Sequence, residues 1–483
     1  MTEHARQLAR FLSGQRWFGG KGRAIASVET VDHASLDEAS DTRLAIVGVA
    51  YADGDREAYF LPLAAAGGAD VYDALDGPDP DFCRPLLAAI RGGAHLSTAR
   101  GGQLRFAPGV PRFGGRAPEP LPGTFDATRV RRIGAEQSNT SIVYNDALIL
   151  KMFRRLQIGV NPEVEMLRFL AEHGNFDRIP TLEGWIEYRA PDGAQTSLGV
   201  LQRFVPNHGD GWTWMLRELD LLPGRGEGYS EGGDIDAHMG AVTELGRVTA
   251  GLHLALASSD GPDFAPEPIT SADVQAWHLG ITVRLDRVLR RLNHDPHARA
   301  KPVQELTSNV LAEKPRPREM VAGLDALADG GTVKTRIHGD YHLGQVLKTA
   351  DGFVVIDFEG EPLRPLAERR ARHTPLKDAA AMLRSFSYAR HAAMRVASAS
   401  AELTTRDSPL ATWERQARRA FLDAYVGTCR QGGAHFLPQS EDALRRVLVA
   451  LELEKSLYEL EYELDNRPDW LAIPLAALAE AGL

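Results

Sequence analysis

Between residues 337 and 362 the chain reads I-H-G-D-Y-H-L-G-Q-V-L-K-T-A-D-G-F-V-V-I-D-F-E-G-E-P. The apolar run 353–356 leads straight into Asp357, and a second turn at Asp351-Gly352 separates it from His338-Gly339-Asp340. The pattern predicts strands and tight turns, with one acid in the first turn and another at a strand end. Transfer of a phosphoryl group from a nucleotide needs such a set: one acid against the acceptor hydroxyl, and a second acid with an amide at a divalent cation. An H-x-D-x-x-x-x-N loop followed by a strand ending in D-F-G supplies it. Here Gln345 stands at the amide position, and Asp357-Phe358-Glu359-Gly360 stands at the strand end. Either half alone reads equally well as an ordinary glycine turn or a strand cap; the joint spacing carries the chemical reading.

The preceding segments fit the same chemistry. Residues 133–141 and 148–153 are predicted as strands, and 162–172 as a helix with Pro162 in its first turn. Lys151 lies among apolar neighbours on the second strand, where a largely buried lysine requires an anion, here the α and β phosphates. Glu165 is the expected acid steering Lys151, with Glu163 as the alternative. The segment Glu136-Gln-Ser-Asn-Thr-Ser141 takes the place of a glycine-rich phosphate loop and offers the hydroxyls of Ser138, Thr140 and Ser141. An apolar strand at 198–205 ends at Pro206; Gln202 and Phe204 are expected beside the adenine.

Towards the end, residues 442–463 form a predicted helix with two stripes. Leu453, Leu457, Leu460 and Leu464 read as core; Lys455, Tyr458, Glu459 and Tyr462 form the other stripe, followed by Arg467 and Trp470. Two tyrosines a turn apart beside charged groups suit a sugar pocket, or a second buried helix contact.

These motifs, with Asn161-Pro-Glu-Val-Glu165 and the stretch 461–474, resemble those of the aminoglycoside phosphotransferase and choline kinase group, and within it the maltokinases. The likeness runs from Arg16 to Leu475, with gaps in the loops. It implies an α+β, bilobal protein kinase-like fold: an N-terminal cap at 1–107, an ATP-binding lobe at 124–205 and a mostly helical catalytic and sugar-binding lobe at 206–483. It implies ATP and Mg²⁺ as cofactors, Asp340 as catalytic acid-base group, and Gln345 and Asp357 at the metal. It further implies His338, Glu359, Lys455, Tyr458, Tyr462 and Trp470 at the sugar, and Asp378 supporting the catalytic loop. The implied reaction is phosphorylation of maltose at its anomeric hydroxyl, in the route from trehalose to glycogen, with association with other enzymes of that route. A kinase of glucosamine or glucose, and an inactive nucleotide-binding regulatory module, stay open as alternatives. So does the run Arg369, Arg370 and Arg372, which fits a phosphate or an ion-paired face.

The remaining sequence bounds this reading. A chain of 483 residues exceeds one core, and 43% apolar with 25% charged residues describes a globular protein. The formal charge of −10, without a basic stripe, argues against nucleic acid. Residues 44–51, predicted as a strand and paired by a turn with 58–63, form the longest apolar run, too short to cross a bilayer. No apolar leader follows Arg6, Arg10 and Arg16, which leads to the cytoplasm. Cys83 and Cys429 belong to no metal or disulfide pattern. Gly14-Gln-Arg-Trp-Phe-Gly-Gly-Lys21 falls short of a phosphate-binding P-loop, because a glycine follows the lysine, so Arg16-Trp17-Phe18 is expected to pack. Five prolines between 108 and 122 predict a linker or exposed loop.

Overall fold

The computed structural model describes residues 2–36, 42–66, 70–110, 125, 127–134, 138–173, 176–220, 235–301, 303–312, 315–329, 331–362, 364–396 and 408–480. Their contacts divide the chain into two units, Met1–Pro206 with Asp357–Arg370, and Asn207–Ile356 with Ala371–Leu483.

The first unit holds two antiparallel sheets. In one, Ile25–Ser35, Arg43–Tyr51 and Arg56–Ala66 pair in sequence, and Arg155–Leu156 and Asp70–Asp73 both join Arg56–Ala66. The expected hairpin is present. After the exposed Arg43, its Arg43–Tyr51 strand is apolar because both faces are covered. Leu44 and Ile46 enter one core, with Phe60 and Leu86, while Ala45, Val47 and Val49 enter another, with Leu8, Leu12, Trp17 and Phe18. Trp17 and Phe18 thus pack.

The second sheet runs in the order His95–Ser97, Gln103–Pro108, Leu182–Arg189, Gln195–Arg203, Leu148–Phe153, Asn139–Tyr144, Val130–Ile133. This redraws the expected boundary at 107. Residues 95–108 contribute two strands to the sheet that carries Lys151, and Arg155–Leu156 crosses the other way into the cap sheet. Apolar side chains from both sheets, among them Phe60, Phe106, Ile142 and Leu150, form one continuous core, which favours this exchange. The strand expected over 133–141 is two, Val130–Ile133 and Asn139–Tyr144, paired through Ile133 and Ser141. Of the proline-rich segment, 111–124 lies outside the described residues.

The second unit is mainly helical, around Ile235–Leu256, Leu376–Val396, Pro409–Gln431 and Glu441–Asn466. Gly246 lets two of these helices approach closely: a Cβ there would lie 2.4 Å from the carbonyl oxygen of Phe421. A hairpin of Val346–Thr349 and Gly352–Val355 carries the chain out of the His338-Gly339-Asp340 turn towards Asp357. No described helix is long and apolar enough to cross a membrane. Both cysteines are buried and free.

Candidate active site

In the first unit the chemistry gathers around Lys151. Strand alternation sends Leu148, Leu150 and Met152 into the core and leaves Lys151 on the opposite face, in register with Ser141 and Val200. Its Nζ meets three carboxylates: Glu163 Oε2 at 2.7 Å, Glu359 Oε1 at 2.6 Å, and Asp357 Oδ1. The expected Glu165 is corrected to Glu163. Asn161 accepts a hydrogen bond from the Glu163 backbone N–H at 2.9 Å, which places Glu163 at the start of the helix Pro162–His173. Glu165 points elsewhere and takes both arms of Arg370, at 3.0 and 2.5 Å.

Glu163 is 1% exposed. Burial pushes its carboxyl up to about 7, against the opposing pull of Lys151. Its second oxygen accepts from Gln202 Nε2 at 2.8 Å. Gln202 is therefore a buried brace of Glu163 rather than an open adenine contact, while Phe204 lies under the Arg131 guanidinium at 5.7 Å. Glu359 accepts from Asn139 at 2.5 Å and Asn161 at 3.2 Å, so it belongs to the Lys151 cluster and not, as expected, to a sugar site. Asp357 sits at φ 64°, a left-handed conformation rare for a residue with a Cβ.

Three carboxylates around one ammonium leave surplus negative charge. Arg369 only approaches it, at 4.0 Å from Glu359. One oxygen from each of Glu163, Asp357 and Glu359 can be chosen so that all lie within 4.8 Å of one another, a hard-oxygen set that fits a divalent cation such as Mg²⁺. The loop hydroxyls divide. Thr140 Oγ1 accepts from buried Arg154 at 2.8 Å and Ser141 is buried in its strand, so neither is open to a phosphate; Ser138 is exposed. Glu136 and Gln137 lie outside the described residues.

In the second unit the His338-Gly339-Asp340 turn hangs from Asp378. The backbone N–H groups of His338 and Gly339 donate to its two oxygens at 2.7 and 3.0 Å. Gly339 has φ 84°, which a side chain would disfavour. Behind Asp378, His253 Nε2 lies 3.2 Å from Oδ2 and its Nδ1 lies 2.9 Å from the Tyr425 hydroxyl. Burial pushes the Asp378 carboxyl up, but the hydrogen bond from His253 and the surrounding positive charge and N–H groups more than offset it, so its pKa falls below the ordinary value. His338 is 1% exposed, with Nε2 2.9 Å from the carbonyl of Ile356. It braces the loop, which corrects its placement at the sugar. Gln345 closes the short turn Leu343–Gln345, and its carbonyl accepts from Ile356 N–H at 3.0 Å.

Asp340 has the helix Glu441–Asn466 beside it: Lys455 Nζ lies 3.4 Å from Oδ1 and 4.7 Å from the ring centre of Tyr458. Arg284 covers Tyr458 at 5.7 Å, and Arg467 lies over both Tyr462 and Trp470, at 5.2 and 5.1 Å. Of the polar stripe, Lys455 reaches the acid with Tyr458 beside it, Tyr462 and Trp470 gather around Arg467, and Glu459 is buried against Arg384. The arginine run is ion-paired: Arg370 to Glu165, Arg372 to Glu267, and Arg369 near Glu359 with a 3.1 Å bond to Gln157. Sequence reasoning missed Asn139, Asn161 and His253. For Asn161 a signal existed, since Asn before Pro is a helix-start signature; for the others only the fold brings the partners together.

Residues 11–76 match the maltokinase N-terminal cap domain. A glucosamine kinase of Mycolicibacterium smegmatis (strain ATCC 700084 / mc(2)155) is 30% identical over 352 residues, covering 72% of this chain and 78% of that one. A glucosamine kinase of Streptacidiphilus jiangxiensis is 28% identical over 365 residues, 75% of each. Two solved structures share the fold over 98% of both chains at 23% identity: a glucosamine kinase (crystal form B), TM-score 0.69, and a glucosamine kinase in complex with glucosamine, ADP and inorganic phosphate, TM-score 0.68.

Proposed function

Since the chain belongs to the glucosamine kinase family, sugar kinases of the aminoglycoside phosphotransferase-like superfamily, we propose that it phosphorylates maltose from Mg-ATP, giving maltose 1-phosphate. Asp340 orients the anomeric hydroxyl and takes its proton as the oxygen bonds to the γ-phosphorus, while the bond to the β–γ bridging oxygen breaks and ADP leaves. Lys151, steered by Glu163, holds the α and β phosphates. Asp357 and Gln345 are the assigned Mg²⁺ ligands, with Glu359 beside Asp357 as a further carboxylate. Bound there, the ion would neutralise charge on the phosphates.

One observation carries the sugar assignment: Lys455 lies 3.4 Å from Asp340 and 4.7 Å from the Tyr458 ring, so donor, acid and aromatic face stand together in the second unit. The match to a maltokinase cap supports maltose; the family relatives support glucosamine as the second reading. Turnover of ATP against a panel of mono- and disaccharides, with the phosphate position read by ³¹P NMR, decides between them. Tyr458→Ala should raise KM for maltose about 5- to 30-fold by loss of aromatic contact, and leave KM for ATP nearly unmoved. If neither KM moves, the tyrosine face is packing, and if a monosaccharide is phosphorylated as well as maltose, the maltose assignment gives way.

A further inference from the structure

We infer that Asn161 is a positioning residue that orients the carboxylate of Glu359 towards the bound cation, acting from the cap of the helix that carries Glu163. The inference rests on the proposed Mg-nucleotide site. Both ends of the Asn161 amide are engaged: Oδ1 accepts from the Glu163 backbone N–H at 2.9 Å, and Nδ2 donates to Glu359 Oε2 at 3.2 Å. The other oxygen of Glu359, Oε1, accepts from Asn139 at 2.5 Å and meets Lys151 Nζ at 2.6 Å. Glu359 is thus held on both oxygens. Through Asn161 its orientation is tied to the same helix start that places Glu163.

Asn161 is itself fixed. Its backbone N–H donates to Ser197 Oγ at 2.9 Å, and its carbonyl accepts from the Glu165 N–H at 3.1 Å. The residues just before it hold the same acid by its backbone: Arg369 donates to the Glu359 carbonyl at 3.0 Å and to Gln157 Oε1 at 3.1 Å. Residues 157–161 therefore grip Glu359 at main chain and side chain. A helix cap alone needs only an acceptor, which serine, threonine or aspartate supplies as well. Reaching Glu359 needs a donor too. Serine and threonine are one atom too short for that reach, and an ionised aspartate has no donor. Outer partners of this kind orient a metal-binding carboxylate, and losing one costs about 10- to 100-fold in metal affinity or activity.

Calorimetric titration of the full chain with ADP, in the presence and absence of Mg²⁺, separates this role from capping. Asn161→Ser keeps a cap acceptor, so the melting temperature and the affinity for Mg²⁺-free ADP should stay close to wild type. The gain in ADP affinity that Mg²⁺ brings should fall about 10-fold or more. Asn161→Thr, a second capping residue without the reach, should do the same and serves if Asn161→Ser does not fold. Glu359→Gln removes the carboxylate through which Asn161 acts. Adding Asn161→Ser to it should therefore cost less than about twofold more. An Mg²⁺ response that Asn161→Ser and Asn161→Thr leave intact, or a loss that is the same with and without Glu359→Gln, overturns the inference alone. Wild-type ADP affinity indifferent to Mg²⁺ would sink the metal reading of the site, and the inference with it.

Discussion

Lys151, partly buried, and Asp378, fully buried, are both ionised groups that organise the residues around them, but they are satisfied by opposite means. Lys151 faces three side-chain carboxylates, one from the start of a helix and two from the segment that begins at Asp357. Asp378 faces two backbone N–H groups and an imidazole that is itself held by Tyr425. The first arrangement sets three carboxylates against one ammonium, with Arg369 4.0 Å from Glu359. The second is closed, with acceptors and donors matched. A closed frame is formed whether or not a ligand is present, whereas an open one has its final balance supplied by the cation and nucleotide it is proposed to hold.

The largest expected effect tests the closed frame. Asp340→Asn keeps the shape of the side chain, and the turn is suspended from Asp378, so the backbone should stay in place while proton acceptance is lost. Turnover should fall about 10² to 10⁴-fold, the usual worth of a positioned proton acceptor, with nucleotide affinity and melting temperature close to wild type. Retained turnover would remove Asp340 from the chemistry, and a collapsed melting temperature would mean that the frame depends on its charge.

Lys151→Met probes the open cluster. Removing the cation leaves Glu163, Asp357 and Glu359 facing one another. Breaking a fully buried pair costs about 3 to 5 kcal/mol, and the exposure of Asp357 reduces that to about 2 kcal/mol here. Added Mg²⁺ should then raise the melting temperature of the variant more than that of the wild type, because the ion replaces the missing charge. Equal Mg²⁺ response in the two proteins would contradict the idea that surplus charge defines this site.

The same contrast explains what could be read from the sequence. Asp340, Gln345 and Asp357 sit at fixed offsets in one continuous stretch, so spacing alone makes them candidates, whereas Asp378 follows from the family resemblance; the apolar run around Lys151 marks a buried strand. Side chains that complete the Lys151 cluster come from separate strands and a helix start, and no local pattern says that Asn139 or Gln202 will reach it. Glu163 and Glu165 lie two positions apart, near opposite sides of a helix, and only the Asn161 cap decides which one faces Lys151. The cap boundary was missed for a related reason. Both sheets of the first unit bury apolar faces in one core, and two-residue periodicity shows that a face is buried without showing which sheet receives it.

The smallest expected effect extends the comparison to a second buried histidine in the helical unit. Unlike His253, which stands against Asp378, His238 stacks on Trp214 at 5.3 Å, and its Nε2 accepts from the Trp413 indole at 2.9 Å. That bond needs the lone pair, so the ring is neutral. Burial pushes it down to about 4. Because the ring is neutral, Glu218, 3.7 Å from Nδ1, does not form an ion pair with it. With a folded value below the unfolded 6.5, the unfolded chain binds the proton more readily. Stability from this group is present above pH 6.5 and is lost as pH falls towards 4. Between pH 7 and 5.5 the loss is about 1 kcal/mol, set mainly by the unfolded value. His238→Gln keeps an acceptor for Trp413 but cannot titrate. Denaturant unfolding at the two pH values should therefore show a stability difference about 1 kcal/mol smaller in the variant, and an unchanged difference would mean that His238 gains its proton without leaving the fold.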